Sequence, residues 1–465
     1  MAPAGVFAGS LSSSDFTRSS DLREVRPMIP GTRHTSDDLA GLPCLWEGDV
    51  LVVGGGSAGS SAAVAAARRG ARTLLVESGG FLGGTGTRVL DTFYGFYAPG
   101  PAGDRVVGGV GWEVCERLRD ADMSFERPNT YGAGTGVTYE PEALKLVWDD
   151  MVRESGARVL LYALFTAAVV DDGAVTGGVV ETRRGPALLR ARTVVDATGE
   201  GEVAWRAGAE LAPSLPPASV QPATSTFRVG GVAGKTATTG ELHQLIAAGQ
   251  DTYDLPRREG SIHITKLPGV RHANMTRVAG KDLTDPWELT WAEQEGRRQS
   301  REYVRFLVDR VPGYEHAYLL GTSSRLGIRE TRRLEGEYVL TGADFRGALS
   351  HADDIARCGA PIEDHAAGTA TRWEYVGGRA EPDDATYGIP YRTLVPVRLD
   401  GLLAAGRFFS ASHEAHASAR SIGQCTAMGQ AAGTAAALAA DAGVQPRKVD
   451  HELLRSRLKE AGAIV

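Results

Sequence analysis

The stretch Asp49–Glu77 constrains this chain more than any other. An apolar run, Val50–Val53, enters the turn Gly54-Gly55-Gly56-Ser57-Ala58-Gly59 and leaves in a small-residue segment reaching Arg69. A second apolar run, Thr73–Val76, then ends on Glu77. The order predicts strand, tight turn, helix and parallel strand, the opening unit of a doubly wound sheet. Gly54 permits the turn, Gly56 lets the backbone approach a pyrophosphate, and Gly59 lets the helix lie close on the strand. The helix start offers phosphate its N–H groups that lack intrahelical partners. Glu77 falls where a carboxylate accepts from ribose hydroxyls. Taken alone, the turn says dinucleotide and leaves NAD and FAD equally open.

The 465 residues suffice for two or three domains with substantial cores. A net charge of −7 and the lack of any basic run argue against nucleic acid or an anionic membrane as partner. No apolar run has the length of a membrane span, and Met1–Ser20 lacks the basic and apolar regions of a secretory signal. Cys44, Cys115, Cys358 and Cys425 stand far apart with no CxxC, so neither a metal site, an iron–sulfur cluster nor a redox dithiol is expected. A reducing cytoplasm is the expected compartment.

Residues 1–46, rich in Ser, Pro, Gly and Arg, read as an extension. After Glu77 comes a glycine-dense loop, Ser78–Thr87, placed for cofactor contact at a strand's carboxyl end. Leu144–Glu154 reads as an amphipathic helix and Val159–Tyr162 as a strand. A meander follows in Thr166–Val170, Val175–Thr182 and Ala187–Ala191, with a further buried strand at Thr193–Ala197. Residues 216–395 carry more aromatics, histidines and arginines, with a charged helix over Trp287–Val308. Gly401–Ala405 returns to the strand pattern, and Gly423–Ala440 is an Ala/Gly-rich helix suited to close packing. The expected fold is α/β: a Rossmann-like FAD-binding domain, parallel sheet plus β-meander, discontinuous over 47–215 and 396–440. An α+β substrate domain is inserted over 216–395, and 441–465 ends in a helix over Asp450–Leu458.

Three blocks in order, Asp49–Glu77, VVDATGEGEVA at 194–204 and LLAAGRFFSASHEAHASARSIGQCTAMGQAAG at 402–433, resemble the FAD-dependent oxidoreductases of the glutathione reductase and fumarate reductase flavoprotein type. NMTRV at 274–278, GIRETRRLEGEYVL at 327–340, PIEDH at 361–365 and YGIPYR at 387–392 are similar to a broad family of that group. The resemblance implies FAD contacts at Gly54, Gly56, Ser57, Ala58, Gly59, Glu77, Ser78, Gly84 and Thr85. It adds Phe165 (backbone to adenine), Thr198, Gly199, Gly406, Arg407, Arg420, Gly423 and Gln424. A helix start at Ser421–Gly423, with Arg420, suits the negative charge of reduced flavin; the alternative for Arg420 is a surface charge. Phe81–Arg88 has no histidine, where covalent relatives carry one, so the resemblance implies non-covalent FAD.

Candidates for proton transfer or substrate binding are His413, His272, His365 and Arg329, with Arg277, Arg332, Tyr387, Arg392 and His416 also present. His413 reads equally as a structural histidine. Arg329 and Arg332, three apart on an expected helix, could pair with Glu330 or Glu335. Cys425 reads better as a buried small residue than as an activated thiol. His413-Glu414-Ala415-His416 is one residue short of a HExxH zinc motif. The expected activity is FAD-dependent hydride transfer to or from a small molecule: C–C desaturation or reduction, or alcohol or amine oxidation. An external acceptor or O2 would complete turnover, since no second GxGxxG follows a strand. Alternatives are a flavin monooxygenase using NAD(P)H and O2, and a non-catalytic FAD-binding scaffold or complex subunit. A homodimer is compatible with all of these.

Overall fold

Val50, Leu51, Val52 and Val53 are each at most 3% exposed and end a ten-residue strand, Cys44–Val53. The structure, a computed structural model, describes residues 33–39, 41–129, 132–365 and 371–465. The strand begins earlier than the apolar run indicates, inside the segment 1–46 expected as an extension. Trp46 is buried between exposed Leu45 and Glu47, an alternation too brief to stand out in sequence. Arg33–His34 also pairs, parallel to Ala168–Val169. Residues 1–32 of that segment lie outside the described residues.

The turn after Val53 gives the chain its first sharp packing constraint. Gly54 has φ +101°, and a Cβ there would stand 2.5 Å from the Ala197 carbonyl oxygen. A Cβ on Gly59 would stand 1.8 Å from the Gly54 oxygen, so any side chain would force the helix Ser57–Arg68 off its strand.

The main sheet runs in the order 33–34, 164–171, 174–182, 185–196, 44–53, 73–77, 158–161. Its pivot is the strand Gly185–Asp196. Residues 185–190 pair antiparallel with 177–182 of the meander, whereas Val194–Asp196 pair parallel with Leu402–Ala404. Two strands were expected here, and the structure joins them. Arg192, between the two apolar runs, points outward and donates to the Ala440 carbonyl, so it leaves the strand unbroken. Leu402–Ala404 thus lies beside a strand some two hundred residues earlier in the chain.

The 21-residue helix Ile422–Ala442 covers this sheet and packs on Ser57–Arg68. A Cβ on Gly429 or Gly433 would stand 2.1 Å from the carbonyl oxygen of Ala58 or Ala62 respectively. The Ala/Gly content of both helices is the condition for that approach.

Within residues 216–395, strands Ser261–Ile264, Arg271–Asn274, Phe227–Gly230 and Tyr318–Thr322 form an antiparallel sheet in that order. Its core joins Phe227 and Ala273 to Leu242, Ile246, Tyr303 and Phe306. Tyr303 and Phe306 come from the helix Pro286–Arg310, whose start is capped by the Asp285 carboxylate on the Trp287 and Glu288 amides. Residues 327–337 are irregular, not the helix expected to carry Arg329 and Arg332. Their backbone bonds go across the chain, Leu334 N to Phe408 O and Glu335 N to Glu210 O, instead of along a helix. The final helix spans His451–Glu460. Among the described residues no helix is long and apolar enough to cross a membrane.

Candidate active site

Three parallel strands end at one edge of the sheet, and their following turns build one long cleft. The turns are Gly54–Ala58, Ala197–Glu200 and Ala405–Arg407. Backbone bonds hold them together: Ala197 N donates to Val53 O, and Ala405 N to Asp196 O. Asp196 is fully buried. Its carboxylate accepts from the amides of Thr198, Val203 and Ala204 and from the Thr198 hydroxyl, so it fixes the Ala-Thr-Gly turn and starts the next short helix. The glycine-dense loop folds back on the first turn: Gly83 N donates to Gly55 O, and Gly83 and Gly84 both have positive φ. Gly56 faces Gly84 with no side chain between them, a bare-backbone passage fit for phosphate.

Glu77, 6% exposed, accepts from Gly55 N at 2.8 Å, Gly79 N at 2.6 Å and Arg88 Nη2 at 2.7 Å. Burial opposes its ionisation, but Arg88 and the two amides outweigh this and hold its pKa below the usual value. Glu77 also accepts from Ser78 Oγ at 3.1 Å, and it lines the cleft.

Two helices begin in the cleft wall, at Ser57 and Ile422, and neither start carries a side-chain cap. Their first N–H groups therefore lack side-chain partners. Beyond them Arg407 Nη1, Arg420 Nε and Gln424 Oε1 are buried without hydrogen-bond partners. Bare backbone at one end, uncapped helix starts along the wall and the unpaired Arg407 and Arg420 donors at the other fit an elongated, hydrogen-bonding, anionic group such as FAD. The pyrophosphate would lie against Gly54–Ala58, a ribose at Glu77, and the flavin toward Gly406 and Ser421.

At that far end the cleft is walled by residues of the second sheet and its neighbours. Arg257, Ser261 and Asn274 line it, with Arg329, Glu363 and Arg420. Arg257 donates to the Asn274 backbone and side-chain oxygens, and Arg329 to Pro222 O and Thr224 Oγ1. Neither has a carboxylate among these partners. Burial, then Arg420 and Arg257, lower the Arg329 pKa to about 9, which still leaves the group charged at neutral pH. Glu363 is the acidic group in this part of the wall. Burial opposes its charge, yet a hydrogen bond from His365 and the charges of Arg420 and Arg329 hold it ionised. His365 Nε2 lies 3.0 Å from Glu363, while burial brings the His365 pKa down to about 4.

Of the residues expected to act, Arg329, Arg407 and Arg420 line the cleft, as do Gly54, Gly56, Ser57, Ala58, Glu77, Gly84, Thr85, Thr198, Gly199 and Gly406. Gly59, Ser78, Phe165, Gly423 and Gln424 lie off this lining, as do His413, His365 and His272. Gly59 and Gly423 instead permit close backbone contacts, Gly423 against Gly95. Phe165 packs over Gly178 in the meander. His413 starts the short helix His413–Ala419 and bridges Glu330 and Asp364. His272 belongs to a buried group with Asp91 and His263. Tyr387 donates to or accepts from Ser418, Arg392 pairs with Asp353, and His416 Nε2 contacts the Arg407 carbonyl. Arg332 stacks over Trp205 and reaches Glu200 O. Sequence reasoning missed Arg257, Ser261, Asn274 and Glu363 as wall residues. Ser261 and Asn274 are cross-strand partners, a relation invisible until the strands are paired.

The family described as FAD dependent oxidoreductase matches residues 49–458, and the chain belongs to it. The protein is accordingly an FAD-dependent oxidoreductase with FAD as its cofactor. No curated protein matches it. Among solved structures it is similar to a geranylgeranyl bacteriochlorophyll reductase-like protein from Thermoplasma acidophilum, at 14% identity and TM-score 0.43, over 89% of this chain and 83% of that one. A flavin-dependent brominase gives the same four values. A p-nitrophenol 4-monooxygenase from Pseudomonas putida is 13% identical, with TM-score 0.43 and the same shares covered.

Proposed function

We propose that this flavoprotein transfers hydride between non-covalently held FAD and a small organic anion seated between Arg257, Arg329 and Arg420. The observation that carries this reading is a charge imbalance: of the carboxylates lining the cleft, Glu77 and Glu200 pair with Arg88 and Arg407, which leaves Arg257, Arg325, Arg329 and Arg420 with Glu363. Buried cations are stable only when paired, so an anionic ligand completes the wall.

When bound, FAD supplies hydride donation or acceptance at N5 of the flavin. Arg257 and Arg329, held by neutral oxygens, present their remaining N–H donors to a carboxylate or similar group. That fixes which carbon of the substrate faces the flavin. Arg420, anchored by Gln221 at 3.0 Å, is placed to offset negative charge on the reduced cofactor, as is the uncapped start of Ile422–Ala442. Glu363 keeps the arginine array from repelling itself apart. An external acceptor or O2 closes the cycle.

The test is anaerobic bleaching of the oxidised flavin band across matched carboxylates, neutral alcohols, amines and NAD(P)H. A carboxylate or another small anion should bleach the wild type, and Arg257→Gln should raise its half-saturating concentration by about tenfold or more. Bleaching by neutral substrates alone, or by NADPH with hydroxylation on readmitting O2, overturns the proposal.

A further inference from the structure

We propose that Asp91, His263 and His272 form a divalent-metal site of the zinc type, in the protein interior beside the substrate end of the cleft. The inference does not rest on the substrate reading above. The three residues come from separate stretches, with Asp91 and His263 172 positions apart, so no spacing motif announces them.

The sheet brings them together. His263 pairs across strands with His272, two positions along from the pair Ser261 and Asn274. Residues two apart on a strand share a face, so the histidines continue the face whose neighbouring pair lines the cleft. Asp91 lies against them, immediately after Val89 and Leu90 of the cleft wall.

His263 Nε2 is 2.7 Å from Asp91 Oδ1, and His272 Nδ1 is 3.5 Å from Asp91 Oδ2. The three donor atoms lie within 4.8 Å of one another. Tetrahedral ligands with bonds of about 2.0–2.1 Å stand roughly 3.4 Å apart, so modest side-chain rotations close this set around one ion.

A second observation points to a ligand. Asp91 is 1% exposed, yet its Oδ2 has no hydrogen-bond partner although it faces His272. The nearby cations are engaged elsewhere. Arg228 is held by both oxygens of Glu140, and Arg127 donates to Thr138, Thr92 and the Pro128 carbonyl. A buried carboxylate without its own guanidinium, between two imidazoles, offers the N, N, O donor set that zinc accepts. Bound there, the ion would pin the second sheet to the Asp91 segment and so set the position of the cleft wall above it.

The FAD-loaded protein, stripped with chelator, should take up one Zn2+ per chain. Co2+ in its place should give a visible band in the red, outside flavin absorption. Asp91→Asn and His272→Gln should each lose stoichiometric uptake and the Co2+ band while retaining bound FAD as evidence of folding. A wild-type protein that binds neither ion overturns the proposal, leaving a hydrogen-bonded triad. So does uptake that persists unchanged in the Asp91→Asn protein. Should the variants fail to fold, the wild-type titration alone decides.

Discussion

His413 Nδ1 lies 2.9 Å from Glu330 Oε2, and on its other side His413 Nε2 lies 3.4 Å from Asp364 Oδ1. Glu330 follows Arg329 and Asp364 follows Glu363, and both of those preceding residues line the cleft. One imidazole therefore ties the irregular segment that holds Arg329 to the short strand Ile362–Asp364 that holds Glu363, two opposite charges of the cleft wall. It lies outside the cleft lining, and the expected role is to position those two segments.

Hydrogen bonds that His413 donates to Asp364 and Glu330 raise its pKa to about 9, from an ordinary 6.5. A raised folded-state pKa means that the protonated form stabilises the fold. That contribution is full below pH 6.5 and disappears as pH rises through 9. Urea midpoints of the wild type should fall across this window relative to those of His413→Gln. The variant should also raise the substrate KM more than it lowers kcat, as expected when Arg329 and Glu363 drift.

Gly433→Ala adds a Cβ whose nearest neighbour is a backbone oxygen of the facing helix at 2.1 Å. Backbone cannot rotate away as a side chain can, so the two helices must separate. A loss of about 2–3 kcal/mol in chemical denaturation is expected. FAD retention should weaken too, because both helices begin in the cofactor wall.

Glu77→Ala removes the acceptor for two amides and for Arg88, leaving buried groups unpaired. FAD affinity should drop by about tenfold or more, with a stability loss of about 2 kcal/mol. Glu77→Gln should recover part of the stability and less of the affinity. Unchanged FAD binding in both variants, followed by flavin fluorescence, would remove the ribose role.

Cys425 lines the cleft, but burial pushes its thiol up to about 12. It should resist thiol reagents at neutral pH, and Cys425→Ser should keep full turnover. Rapid labelling of this residue in the folded protein would refute that assignment.

How much of this was legible beforehand follows the range of the interactions. Gly54–Glu77 could be read because turn, helix and strand are contiguous and each glycine has a local steric task. The meander is legible from short strand-like runs between Asp/Gly turns, and the helix at 286–310 from its long charged stretch. The run 185–196 reads as two strands, because one outward arginine looks like a break until the neighbouring strands are placed. The irregular 327–337 segment carries a helix-like spacing of charges, yet its backbone bonds lie with Phe408 and Glu210, which sequence cannot indicate. Arg257 and the Asp91 cluster were missed for the same reason: their partners are supplied by tertiary pairing.

The strand at 402–404 and the glycine face of the last long helix have a consequence for how the protein is made. During synthesis the strand beside its sheet and the helix that covers its own helix leave the ribosome about 350 residues after the nucleotide-binding turn. At ordinary elongation rates of about 5–20 residues per second that interval lasts tens of seconds. The half-built sheet must spend it with an apolar flank uncovered. Cofactor capture is expected to wait until that strand and helix have emerged, with the exposed flank open to a chaperone meanwhile.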